Sequence, residues 1–278
     1  MNITNISNLY YKNASIVFSG YLLMMIPVSL LTGPFLPDLF VSLIALIFIF
    51  ICCKDKDWGY FKNKFFYCFI SFYVFLLVSA SVSELPYESI KSVFFYFRFG
   101  IFALAVNYLL DKDQGLSKKL AIIYFSTFIF ALCDGLYQYQ FQQNIFGFGT
   151  EINRFTLSFG DNMILGGYLA RLLPLILALL LLNYPLSNLM KIFVILLVVF
   201  SNIVIFLSGE RTAIFLSLMS LVLIFLLTPK LKILKLIIIL LLSICLVLLI
   251  IQDPGLRERN IDFTLYQFNI ENHFDHIR

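Results

Sequence analysis

The chain has 278 residues, of which 61% are hydrophobic and only 13% charged, with a net charge of +4. A water-soluble domain carries about a quarter charged residues, so this composition excludes one. Its apolar residues come in blocks of about 16 to 23, the length that crosses roughly 30 Å of hydrocarbon as helix.

Backbone amides in lipid must be satisfied within a helix or a closed barrel, and the pattern lacks the two-residue alternation of a barrel. The expected fold class is therefore all-α, a polytopic membrane protein. Residues 1–15 are polar and Asn-rich, and no small-residue cleavage site follows the first apolar block, so no cleavable signal peptide is expected. Nine spans are predicted, at 16–31, 36–53, 65–82, 88–110, 119–137, 161–183, 191–207, 213–228 and 236–252. Pro229 and Pro254 fall just after helix ends, whereas Pro174 lies inside the sixth span and predicts a kink. The expected organisation is a transmembrane helical domain over 1–252 and the start of a loop over 253–278. The five cysteines have neither metal spacing nor a disulfide pattern and read as small hydrophobes.

Orientation follows from the cations. With the N-terminus inside, the inner segments hold Lys12, Lys54, Lys56, Lys62, Lys64, Lys112, Lys118, Lys119, Lys191, Lys230, Lys232 and Lys235, and no arginine. The outer segments hold Arg154, Arg211, Arg257, Arg259 and Arg278, and no lysine. This asymmetry fits the positive-inside rule and predicts an outer C-terminus. Arginine presents a planar fork suited to phosphate and carboxylate, so an outer face with only arginines suggests selection for geometry; chance or codon bias is the plain alternative.

Five groups of residues hold the candidate chemistry. From Gln138 to Gly160, an outer loop interleaves Tyr139, Phe141, Phe146 and Phe148 with Gln140, Gln142, Gln143 and Asn144, a pattern suited to sugar rings, although an interfacial aromatic belt is the leading reading for the loop taken alone. Arg154 precedes Gly160-Asp161-Asn162, where Asp161 or Asn162 is placed to cap the sixth helix beside Gly166 and Gly167, making its N-terminus an anion site. Glu210-Arg211 lies in the turn between the seventh and eighth spans, either incidentally or with Glu210 orienting Arg211. Within spans lie Lys91, Arg98, Asp134 and Arg171, with Asp134 taken as the sole intramembrane acid and Arg98 and Arg171 roughly 15 Å from the outer helix ends. Bracing of the bundle is the leading reading for Arg98 and Arg171, and a share in ligand binding stays open. In the tail, His273 and His276 are candidate bases; no metal-ligand spacing accompanies them.

Three stretches resemble the O-antigen ligase and O-antigen polymerase superfamily. They are Gly135-Leu136-Tyr137-Gln138-Tyr139 leading to Arg154; Phe159-Gly160-Asp161-Asn162 through Gly166-Gly167-Tyr168-Leu169 to Arg171-Leu172-Leu173-Pro174; and Leu207-Ser208-Gly209-Glu210-Arg211-Thr212-Ala213. The resemblance covers about residues 65–278. It implies a bacterial inner-membrane glycosyltransferase that moves glycan from a polyprenyl-diphosphate carrier to a lipid or glycan hydroxyl on the periplasmic face, with no metal or nucleotide-sugar cofactor and no nucleic-acid partner. The positions matching the family's diphosphate-binding arginines are Arg154 and Arg211. In the family the base is a histidine of a large periplasmic loop, and this chain stops at Arg278 near where that loop begins. Two other functions stay open: a flippase or transporter of an anionic lipid-linked glycan, using Lys91, Arg98 and Arg171, and a truncated, non-catalytic assembly subunit.

Overall fold

The computed structural model describes residues 3–147, 164–228, 231–252 and 254–257. Helices carry their regular structure: α1 (Ile3–Ser29), α2 (Phe35–Asp55), α3 (Lys64–Ser81), α4 (Pro86–Phe94), α5 (Phe97–Lys112), α6 (Leu116–Phe141), α7 (Leu165–Asn183), α8 (Asn188–Leu207), α9 (Arg211–Leu227), α10 (Lys232–Gln252) and the short α11 (Pro254–Arg257). Among the described residues, seven helical segments are long and apolar enough to cross a membrane, counting Pro86–Lys112 as one, and Ala14–Ser29 and Arg211–Leu227 are shorter apolar helices. These nine match the nine predicted spans in order. The protein is a multi-pass, all-α membrane protein.

Side-chain exposure agrees with lipid as the surrounding medium. Along α3 the large apolar residues Phe65, Phe72, Val74, Phe75 and Val78 are all exposed, and α10 buries only Ile238 and Leu242. Such continuous apolar surface is far beyond what a protein in water tolerates.

Two compact units divide the chain, Met1–Ile123 and Tyr124–Arg278. In the first, α2 packs on α1 and α5, and α3 packs on α4 and α5. Ile44, Phe48, Leu104 and Ala105 form its core, with the Phe48 ring 5.5 Å from Tyr108 and 5.9 Å from Phe61. Gly100 lets α5 approach α3 closely, because a Cβ there would stand 2.2 Å from the Phe69 ring.

The first unit corrects two expectations. The predicted fourth span is not one continuous helix: it breaks between Phe94 and Phe97, and the Tyr73 hydroxyl donates to the Phe94 carbonyl at 2.9 Å, satisfying a backbone group at the break. Asp134 is also not the sole intramembrane acid. Asp38, in the first turn of α2, receives Arg98 Nη2 at 2.6 Å, while Arg98 Nη1 donates to Ser42 Oγ at 3.4 Å. Asp38 and Ser42 lie one turn apart on α2, so a single guanidinium reads one helix face. This contact ties α5 to α2, the kind of link that a bracing arginine makes.

The second unit is organised around α7. Twelve of its 19 residues are buried, including Leu165, Leu169, Leu173 and Ile176. It packs on α8 and α9, and α8 packs on α10. Gly166, Gly167 and Ala170 supply a small-residue face against which another helix can close. The helix continues through Pro174 to Asn183. Ser187 caps α8 by accepting the Met190 N–H at 3.2 Å, and buried Ser217 of α9 donates to Asn202 Oδ1 of α8 at 2.8 Å.

Candidate functional site

The ends of four helices meet at one end of the second unit. Gly209, at φ +70°, takes the left-handed backbone that turns α8 into α9, and Ser208, fully buried, donates to the Ile205 carbonyl at 2.7 Å. This turn docks on the start of α7. Glu210 Oε1 accepts the Gly166 N–H at 2.8 Å and Oε2 accepts the Gly167 N–H at 2.9 Å. One carboxylate thus takes two of the amides that an α-helix leaves unsatisfied at its N-terminus, where the helix dipole also favours negative charge.

Glycine is required at this junction for lack of room. A Cβ on Gly166 would stand 2.2 Å from Ser208 Oγ and 3.3 Å from Glu210 Cβ, and one on Gly167 would stand 3.1 Å from Glu210 Oε2. The end of α6 joins the same cluster, since a Cβ on Gly135 would meet both Leu165 and Val204 at 2.8 Å.

This geometry revises the expected helix-end anion site. Helix α7 begins at Leu165 with Ile164 in the N-cap position and no side-chain cap bond, so neither Asp161 nor Asn162 occupies that position. The Gly166 and Gly167 amides already hold an anion, the protein's own Glu210. Its role is to lock the turn to α7, a contact that sequence reasoning missed because 44 residues separate the partners.

Arg211 is the first residue of α9, its side chain half-buried. Arg171 also belongs to this end. With α7 starting at Leu165 it lies six residues inside the helix, roughly 9 Å from its start rather than the expected 15 Å. Helical side chains lean toward the N-terminus, and Arg171 Nη1 lies 3.4 Å from the point a Gly167 Cβ would occupy, the same point that Glu210 Oε2 flanks. Arg171 is exposed and makes no hydrogen bond or ion pair to a described residue. The Arg171 guanidinium and the committed Glu210 carboxylate therefore meet at the α7 entrance, with Arg211 next in sequence to Glu210 at the start of α9, a grouping of residue types suited to a phosphorylated group.

The aromatic segment is partly helical. α6 runs on to Phe141, so the connection begins later than expected, and Asn144 and Gln138 are buried rather than displayed. Asp134, also fully buried, accepts the Ile145 N–H at 2.7 Å and folds the segment back onto α6. Tyr137, Tyr139, Phe141 and Phe146 stay exposed beside it. Arg154, Asp161, Asn162, His273 and His276 lie outside the described residues. Comparisons with protein families, with curated proteins and with solved structures find no match to this chain.

Proposed function

We propose that this protein is a membrane glycosyltransferase of the O-antigen ligase or polymerase kind, which transfers glycan from a polyprenyl-diphosphate donor to a hydroxyl acceptor. The setting is the bacterial inner membrane, with the α7 entrance on the periplasmic face, an orientation supported by the lysine and arginine asymmetry. The observation that carries the reading is the Glu210 clamp: it fixes the start of α9, and with it Arg211, against the start of α7, where Arg171 also lies.

When the glycosidic bond to the carrier breaks, negative charge grows on the departing diphosphate. Glu210 already fills the Gly166 and Gly167 amides, so stabilising that charge falls to the guanidinium forks of Arg211 and Arg171, together with Arg154 from the segment before α7. The exposed aromatic faces of Tyr137, Tyr139 and Phe146 suit stacking against sugar rings.

The test is Arg211→Lys in cells complemented with the full chain. Loss of the fork should lower glycan transfer on the order of 100-fold at unchanged protein level, the scale of removing one donor from developing charge. Undiminished transfer refutes the reading. The break between α4 and α5, with Arg98 next to it, favours a second function, a transporter of an anionic lipid-linked glycan, because broken helices line transport paths. Under that reading Arg98→Gln abolishes activity while Arg211→Lys is tolerated.

A further inference from the structure

At the other end of the second unit, the first turns of α8 and α10 enclose a groove of about 660 Å³. Its polar edge carries Lys191 and Lys232, and its walls are Ile192, Ile195, Ile233 and Ile237. Ile195 lies four residues inward of Lys191, and Ile237 five inward of Lys232, which puts the apolar wall roughly 6–8 Å deeper along the helices than the cations. Ile192 and Ile233 are 58% and 77% exposed, so the groove opens sideways to the surrounding lipid.

The charges at this end are unmatched. Glu210 is the only acid between Ile164 and Gln252, and it is bound at the opposite end of α8 and α9. Lys191 donates to the neutral Asn188 Oδ1 at 3.1 Å, and Lys232 has no hydrogen bond or ion pair to a described residue. Lys235, by contrast, is drawn away: its Nζ donates to the Phe225 carbonyl and holds the last turn of α9. Two lysines on the edge of one apolar slot, with no carboxylate paired to them among the described residues, suit an anion that also has a hydrocarbon part.

We infer that this groove holds one anionic phospholipid of the surrounding bilayer, its phosphate between Lys191 and Lys232 and an acyl chain along Ile192, Ile195, Ile233 and Ile237. The bound lipid would staple α10 to α8, which matters because α10 buries little of its own surface. The inference stands apart from the glycan reading, since it uses neither the α7 entrance nor its arginines.

The experiment titrates the delipidated full chain in detergent with phosphatidylglycerol and with phosphatidylcholine of the same acyl chains, and reads bound lipid by native mass spectrometry. The wild-type chain should prefer phosphatidylglycerol. Each lysine near a phosphate contributes about fivefold, so K191Q/K232Q should lower that preference by about 25-fold. Filling the slot with Ile195→Trp should weaken binding of the first phosphatidylglycerol while leaving both lysines in place. The control K62Q/K64Q, which removes two exposed lysines of the first unit, should leave the preference unchanged. A preference that survives K191Q/K232Q, or that falls equally in the control, overturns the assignment.

Discussion

Glu210→Ala removes the clamp between α9 and α7 at a half-exposed side chain and keeps the Cβ. Two bonds are lost, at 2.8 and 2.9 Å, and both run to an ionised acceptor, the class worth about 1.5–3 kcal/mol each. The half-exposed position argues for the lower end, so the expected loss is about 3 kcal/mol, with the buried Gly166 and Gly167 amides left without their acceptor. In a chain of this size that lowers the melting temperature by about 6–12 °C. Glu210→Gln keeps one acceptor oxygen and should lose about half as much. Gly166→Ala attacks the same contact from the other side, since its methyl meets Ser208 Oγ and Glu210 Cβ and forces the turn outward at a cost of about 1–3 kcal/mol. Both changes break the same bonds, so the double variant should cost less than the sum of the singles. Thermal unfolding of the detergent-solubilised chain, followed by near-ultraviolet circular dichroism, gives the numbers. A Glu210→Ala protein melting within about 1 °C of the wild type, or strict additivity in the double variant, refutes the clamp.

Three further outcomes can be measured in the same preparation. Asp38→Asn should destabilise the first unit by on the order of 1–2 kcal/mol, between the values for exposed and buried pairs, and the swap D38R/R98D should recover part of it; no change in melting shows the pair to be idle. Ser217→Ala leaves Asn202 Oδ1 buried without its donor and should cost about 1–3 kcal/mol, whereas S217A/N202L should cost less, and a more stable Ser217→Ala protein refutes the pairing. Burial, and then the hydrogen bond and charge of Asp111, push the Tyr60 phenol up to about 12 from its ordinary 10.0. The folded chain therefore keeps a proton that the unfolded chain releases, a contribution complete below pH 10.0 and lost as the pH rises through about 12, so Tyr60→Phe should flatten the stability loss across that window; an unchanged slope disproves it.

The spans were legible because an apolar run of about twenty residues has few alternatives to a membrane helix. The break in the fourth span was not, since Phe95-Tyr96 contains neither proline nor glycine and the run stays apolar across it. Asp38 was visible inside the predicted second span, and only its pairing with Arg98, 60 residues away, needed the fold. At the candidate site, Gly166 and Gly167 stand out beside a helix start and Glu210-Arg211 stand out in the turn between two spans. Which of them touch was hidden, because the carboxylate and its amides are joined by packing of α7, α8 and α9 rather than by local spacing. Arg171 lies nearer its helix start than the expected span implies for a simpler reason: α7 begins at Leu165 rather than at residue 161.

Because the Gly166 and Gly167 amides find their acceptor at Glu210, order of synthesis matters. A nascent chain that has delivered α7 and α8 to the bilayer still lacks the carboxylate and must leave those amides to water or headgroups until the next helix begins to emerge. Released chains that end before residue 210 should therefore keep the start of α7 open to hydrogen exchange, and chains that extend through α9 should close it.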